Sequence, residues 1–139
     1  FIIIDSQPSL GILTMNALAA ANYVIIPVSC EFLSIRGTLA LLKLVAKIRG
    51  QLNSTLEIAG ILPTMFDSRT NHAREVIRIL NEQFSDIHIF PYHVNRSIRF
   101  AESAREQKPI FEHKIQVPGA LAYRELARDL VKFKLRRSS

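Results

Sequence analysis

Apolar runs of strand length alternate with helical patterns along the chain. Phe1–Ile4 is short and wholly apolar, the pattern of a strand covered on both faces. Residues 9–20 follow a helical spacing, with Ser9 as the N-cap. Tyr23–Val28 is rich in β-branched residues and predicts a second strand, with Pro27 near its end. A long helix is expected over 34–49, closed by Gly50. A third strand is predicted over Glu57–Thr64. Asn71–Phe84 is amphipathic, with Ala73, Val76, Ile77, Leu80 and Phe84 on one face. Ile87–Phe90 reads as a short fourth strand ended by Pro91, and Ser97–Arg105 as a short helix. The last helix is expected over Gly119–Leu135, with Leu126, Ala127, Leu130 and Val131 facing inward. Strand–helix alternation of this kind predicts an α/β fold, a mostly parallel sheet with helices on both faces.

Composition narrows the class. The chain has 139 residues, 48% of them hydrophobic and 22% charged, which excludes intrinsic disorder. No apolar run reaches the length of a membrane span. One cysteine excludes an intramolecular disulfide framework, and a reducing, cytoplasmic setting fits it. Opening on an apolar strand with no initiator Met, the chain is expected to be the C-terminal part of a longer protein. The formal charge is +6 and uneven: residues 1–60 carry +1 and residues 61–139 carry +5.

Candidate chemistry begins at Asp5. In doubly wound sheets ligands lie outside the carboxyl ends of the strands. A carboxylate there either holds Mg²⁺ beside a nucleotide phosphate or caps the next helix. The four histidines form no zinc-binding pattern, and Cys30 lacks a local base and reads as a small packed residue. Met15 and Met65 read as core or pocket-wall residues.

Six segments in register then resemble one family. Asp5-Ser6-Gln7-Pro8-Ser9-Leu10-Gly11 resembles D-x-P-P-S-L-G, and Leu13–Leu18 resembles L-T-x-N-A-L. Val24–Val28 with Cys30-Glu31-Phe32 is similar to V-L-I-P-V-x-C-E-Y/F. Leu62–Asn71 is close to L-L-T-M-Y-D-S-R-T-N. Arg99–Glu102 with Lys108-Pro109-Ile110 is similar to R-L-S-E-A-P-S-x-G-x-P-I. Gly119-Ala120 with Tyr123-Glu125-Leu126-Ala127 is similar to G-A-x-A-Y-x-E-L-A. Together they resemble the ParA-type (Soj-like) partitioning ATPases, the deviant Walker A family of P-loop NTPases, over nearly the whole chain.

The resemblance implies a set of expectations. The family binds ATP and Mg²⁺, forms a homodimer around two nucleotides and binds double-stranded DNA without sequence preference as that dimer. A ParB-type centromere-binding protein stimulates its hydrolysis, and the cycle segregates plasmids or chromosomes on the nucleoid of bacteria. Asp5 matches the Walker B aspartate, acting through the Mg²⁺ shell. Thr64 and Met65 match the strand end beside the adenine, and the 91–99 loop, with Asn95, Arg96 and Arg99, matches the segment that closes over the base. Gln7, Asn95 and Gln107 replace a Pro, a Pro and a Gly of the family pattern, which bears on pocket geometry and not on the fold.

No glycine-rich K-G-G-x-G-K-[ST] loop occurs in the chain. In the family that loop cradles the phosphates and lies upstream of the Walker B strand. The 139 residues are thus expected to be one part of a single ATPase domain and to hydrolyse no ATP by themselves. Loss of the P-loop strand from the sheet is expected to expose apolar surface. For DNA the candidates are Arg69, Arg74, Arg105 and Lys108, with Arg96, Arg99 and the tail cations Lys132, Lys134, Arg136 and Arg137 as further basic groups. The alternative for each is a solvated ion pair of little net energy. Two other readings compete: a MinD-like positioning ATPase with cargo other than DNA, and a non-catalytic DNA-binding or dimerisation module. The tail Val131–Arg137 alternates at period two as much as at helical spacing and continues a packing helix, which argues against membrane binding.

Overall fold

The computed structural model describes residues 1–7, 9–113 and 117–137, and only the backbone of residues 113 and 134–137. In chain order the elements are α1 (Ile12–Ala20), β1 (Tyr23–Ser29), α2 (Phe32–Gln51), β2 (Glu57–Thr64), α3 (Asn71–Gln83), α4 (Ile98–Arg105), α5 (Ile110–His113) and α6 (Pro118–Arg137).

β1 and β2 run parallel, from Tyr23 opposite Glu57 to Ser29 opposite Thr64. The register slips between Val24 and Ile25, so Ala59 has no partner and Gly60 faces Ile25. The other edge of β2 is also covered. The amide of Ile61 donates to the carbonyl of His88 (2.8 Å), and that of Phe90 donates to Ile61 (3.0 Å). Farther on, Val94 donates to Pro63 (2.9 Å), and Phe66 donates to Val94 (3.1 Å). The predicted fourth strand, Ile87–Phe90, is therefore present as a single parallel bridge, Ile61 with Ile89, and a second bridge, Phe66 with Asn95, lies beyond it. Pro91 interrupts it, since a proline has no amide for a ladder.

Helices cover both faces of this pairing, as the apolar strand pattern requires. Ile26, Val28 and Ile61 pack with Ile35 of α2 and with Ala73, Val76 and Leu80 of α3. Ile25 and Leu62, one residue out of phase, pack with Phe90, Ala122 and Leu126 toward α6. Leu18 of α1 joins Val45, Ile48 and Leu56 in a third cluster. Asn53 ties α1 down: its side-chain amide donates to the carbonyls of Leu18 (3.1 Å) and Ala21 (2.7 Å).

Four local expectations are corrected. Phe1–Ile4 forms no strand, and Ile2 and Ile3 are 93% and 90% exposed. Among the described residues no strand runs beside this segment, so its side chains have no sheet to pack on. Asp5 consequently stands on an exposed stretch and not at a strand end. α1 starts after Gly11, not Ser9; Ser9 serves instead as acceptor, its carbonyl taking the Thr14 hydroxyl at 2.5 Å. α2 runs through Gly50 and ends at Gln51, because the Leu52 and Asn53 amides both close on the Ile48 carbonyl. The inward face of α6 carries Ala122, Leu126, Leu130 and Phe133, whereas Ala127 and Val131 are exposed. The helix is rotated by about one residue from the predicted face, burying Ala120 and Ala122 while Leu121 and Val131 stay 45% and 47% exposed.

Close approach fixes one glycine. A Cβ on Gly60 would lie 2.8 Å from the His88 carbonyl oxygen and 2.9 Å from Cε2 of Phe90, and the residue has φ +156°. Gly37, in the middle of α2, has nothing within 4 Å of such a Cβ. Gly60→Ala is thus expected to destabilise the chain by about 2–4 kcal/mol through strain and overpacking. Gly37→Ala is expected to stabilise it by about 0.5–1 kcal/mol through helix propensity. Urea unfolding of the two variants checks this opposition of sign.

Candidate functional site

The carboxyl ends of β1 and β2 open onto a cleft of about 980 Å³. It is lined by Pro27 of β1, Thr64 at the end of β2, the 65–69 loop, residues 94–98, and Phe100 and Tyr123. Of the residues singled out from sequence, Thr64, Met65, Asn95, Arg96 and Arg69 meet here. Arg99 does not line the cleft; it lies on α4 and pairs with Glu102 at 2.6 Å. Asp5 is also outside the lining.

The floor is built by backbone. The Arg96 amide donates to the Phe66 carbonyl at 2.9 Å, and the Phe66 amide donates to Val94, so the two lips of the cleft are stitched together. Met65 lies between them with φ +52°. This left-handed conformation is costly for a residue with a Cβ and is held by the pairing on either side. Its side chain is 57% exposed.

One rim is a rigid turn. Arg69 grips Asp67 with two guanidinium nitrogens, Nε at 2.9 Å from Oδ1 and Nη2 at 2.7 Å from Oδ2. Its amide adds a third bond to Oδ1 (3.1 Å). These bonds hold the Asp67 carboxyl down at about 2. Thr70 caps α3 by accepting from the Ala73 amide, and Arg74 donates to the Ser68 carbonyl at 3.0 Å. Arg69 and Arg74 are therefore engaged within the loop. Arg96, on the opposite rim, is exposed and makes no ion pair among the described residues.

The other rim starts α4, where the Ser97 hydroxyl accepts from the Arg99 amide. α4 ends in a Schellman turn: Gln107 donates to Ala104, and Lys108 donates to Ser103, both at 3.1 Å. Gln107 has φ +54°, the conformation for which a glycine is suited. Arg105 is exposed in the last turn, and Lys108 lies 3.9 Å from Glu106. Of the tail cations, Lys132 pairs with Asp129 at 3.3 Å; Lys134, Arg136 and Arg137 lie outside the described side chains.

The apolar walls went unassigned in the sequence. Phe66, Ile98, Phe100 and Tyr123 line the cleft, and Gly119 lets α6 approach it. A Cβ there would fall 2.7 Å from Cε2 of Phe100 and 3.2 Å from the Asn95 carbonyl oxygen. The signals were present: Phe66 follows Thr64-Met65 directly, and Gly119 opens a helix where a better helix former would otherwise serve. Behind the cleft, Cys30 is buried, which pushes its thiol up to about 11 and fits a packing role. His93 packs on Phe66 with ring centroids 3.8 Å apart and the planes tilted by 46°, and burial lowers its pKa. No group of three metal-binding side chains occurs among the described residues.

Comparison with known proteins places this geometry. Residues 1–58 match the model of an AAA domain family. An uncharacterised protein of Mycobacterium tuberculosis is 46% identical over 94% of this chain and 41% of its own length. The chromosome-partitioning ATPase Soj of Treponema pallidum is 42% identical over 94% of this chain and 51% of its own length. Relatives 34–46% identical over about 94% of the chain include ParA and Soj chromosome-partitioning proteins, so the chain is similar to that family over nearly its whole length. It spans about half the length of these curated relatives. The crystal structure of cobyrinic acid a,c-diamide synthase from Mycobacterium smegmatis, with bound ADP and magnesium, superposes with a TM-score of 0.71. That match has 33% identity and covers 90% of this chain and 43% of the other. The fold is thus P-loop NTPase-like, with a parallel sheet flanked by helices. No helix among the described residues is long and apolar enough to cross a membrane.

The Asp67 carboxyl is expected to titrate near pH 2 instead of near 3.8, read from its side-chain NMR shift. Because the folded value is the lower one, its stabilising effect is complete above about pH 4 and is lost as the pH falls through 2. Asp67→Asn removes that acid-limb dependence. For His93 the folded value is also lowered, so stability falls as the pH drops below about 6.5, and His93→Phe flattens that limb.

Proposed function

We propose that the chain is the C-terminal part of a single ATP- and Mg²⁺-dependent partitioning ATPase domain, acting in the segregation of plasmid or chromosomal DNA. The observation that carries this reading is the cleft at the strand ends, where Thr64, Met65, Asn95 and Arg96 converge. Its walls suit a nucleobase: Phe66, Ile98, Phe100 and Tyr123 supply apolar surface, and Asn95 supplies a donor and an acceptor. Arg96 stands where it can face a ribose or phosphate oxygen. Arg99 pairs with Glu102 within α4, the helix that starts at this lip.

The fit to the metal is narrower. Asp5 is one carboxylate with no cluster of further ligands around it among the described residues. It suits a role through the water shell of Mg²⁺ and not a full cation cage. Bound there, the ion would neutralise charge on the phosphates during transfer. The chain has no lysine-bearing glycine loop, so phosphate cradling falls to residues outside these 139.

Dimerisation, sequence-independent DNA binding and stimulation by a ParB-type partner follow from the family. Arg105 and Lys108, at the exposed end of α4, are the basic groups best placed for phosphates. Arg69 and Arg74 are occupied by Asp67 and Ser68 and serve the rim first.

Three measurements test the reading. The 139 residues alone are expected to show no ATP turnover; turnover abolished by Asp5→Ala would overturn that. In the full-length protein, Asn95→Ala with Arg96→Ala is expected to weaken ATP binding by about tenfold, the scale of one lost charge-assisted contact. Unchanged affinity would refute the cleft as the base site. With ATP, the log–log salt slope of binding to a random duplex should fall by about 0.9 for each of Arg105→Gln and Lys108→Gln. Binding to anionic vesicles with no DNA affinity would favour a positioning ATPase with other cargo.

A further inference from the structure

The cations outside α2 mostly have partners. Arg78 is held by Glu75 and Glu82, Arg128 by Glu125, Lys132 by Asp129, and Arg99 by Glu102. α2 differs. Its 20 residues contain Arg36, Lys43, Lys47 and Arg49 and no Asp or Glu. All four are exposed, and none makes an ion pair among the described residues. Because neutralising ion pairs are common on the other helices, their lack here is a property of this face.

Helix geometry aligns three of the four. At about 100° per residue, Arg36, Lys43 and Lys47 fall within roughly 20° of one line along the axis. At about 1.5 Å per residue they span close to 16 Å, three turns of helix. Leu33 lies about 60° to one side of that line and Leu39 about 60° to the other. Both are exposed, at 81% and 45%. Ala40 and Gly50, both small and exposed, fall about 40° to either side of the same line, and Gly37 lies at the edge of this face. A side chain on Gly37 would meet nothing within 4 Å, and the same is true of Gly50. Two exposed helical glycines cost about 1 kcal/mol each against alanine, and no contact inside the chain explains them.

We infer that the solvent face of α2 is a docking surface for an acidic amphipathic helix of a partner protein. The charge pattern selects an anionic partner. The two leucines select against a nucleic acid, whose phosphates would be brought against apolar surface where such interfaces are polar. A helix laid along α2 places apolar side chains on Leu33 and Leu39 and carboxylates on Arg36, Lys43 and Lys47. Ala40 and Gly50 allow the axes to approach to the 8–10 Å of packed helices. This surface lies apart from the cleft residues, so it does not depend on the nucleotide reading.

The test uses the whole chain and a labelled 21-residue peptide. The peptide has Leu at the first and fourth position of each heptad and Glu on the flanking positions. Fluorescence anisotropy should show saturable binding, and NMR shifts should map it to Arg36, Leu39 and Lys43. Lys43→Glu with Lys47→Glu should weaken binding at least tenfold, and Leu39→Ser by about tenfold, whereas Lys43→Arg with Lys47→Arg should keep it. Each variant sits on an exposed helical face, and its melting temperature is measured alongside to exclude unfolding. A peptide with Lys in place of Glu, or with Ser in place of Leu, should fail to bind. Equal binding to the double Glu variant would overturn the inference. So would a 24-base-pair duplex, or phosphatidylglycerol vesicles, that lose affinity in that variant while the peptide does not.

Discussion

Everything in this fold hangs on the two-sided pairing of β2. Its backbone is satisfied by β1 on one edge and by the 88–94 segment on the other. Its side chains alternate between the cluster with α3 and the cluster with α6. The second pairing is possible only because Gly60 has no Cβ to push His88 and Phe90 away. That approach draws the chain after Phe90 along the end of β2, where Val94 and Arg96 bond to Pro63 and Phe66. The cleft is therefore a consequence of how β2 is paired, and its lips are set by backbone hydrogen bonds before any side chain is placed.

The same logic explains where the structure tolerates cost. Met65 and Gln107 both occupy left-handed backbone without being glycine. Each follows a regular element and redirects the chain at once: Met65 turns β2 into the rim, and Gln107 turns α4 toward α5. The surrounding bonds over-determine both positions, which is the condition for such conformations to persist. At Gln107 the family pattern has glycine, so this chain carries a small strain that a substitution could relieve. At Met65 the strained residue also lines the cleft.

Much of this was legible in the sequence, for identifiable reasons. β2 and α3 follow from strong periodicity and clean end signals, and Ser97 and Thr70 act as helix caps of the expected type. Thr64, Met65, Asn95 and Arg96, named by the family resemblance and by no signal of their own, all line the cleft. Phe1–Ile4 failed, since an apolar run reports a preference for burial and not the presence of a neighbour to be buried against. The face of α6 failed because Ala127 and Val131 share the apolar class with Leu126 and Leu130, and contact with Leu62 and Phe90, which the pattern does not carry, decides which side is buried. Of the apolar walls, Phe66 carried a signal that went unused, whereas Phe100 and Tyr123 were not legible, because they come from elements that meet through the fit of Gly119 against Phe100.

The rim turn has one consequence for how pH effects in the whole protein should be traced. Asp67 stays ionised down to about 2, and its partner Arg69 is pushed above the ordinary arginine range by the same bonds. The imidazole of His93, packed against Phe66, has its pKa lowered by burial. The Asp67–Arg69 rim therefore keeps both its charges from mildly acidic to mildly alkaline solution. A bell-shaped activity profile would have its ionising groups elsewhere, on the nucleotide, on the phosphate-binding side or across a subunit contact.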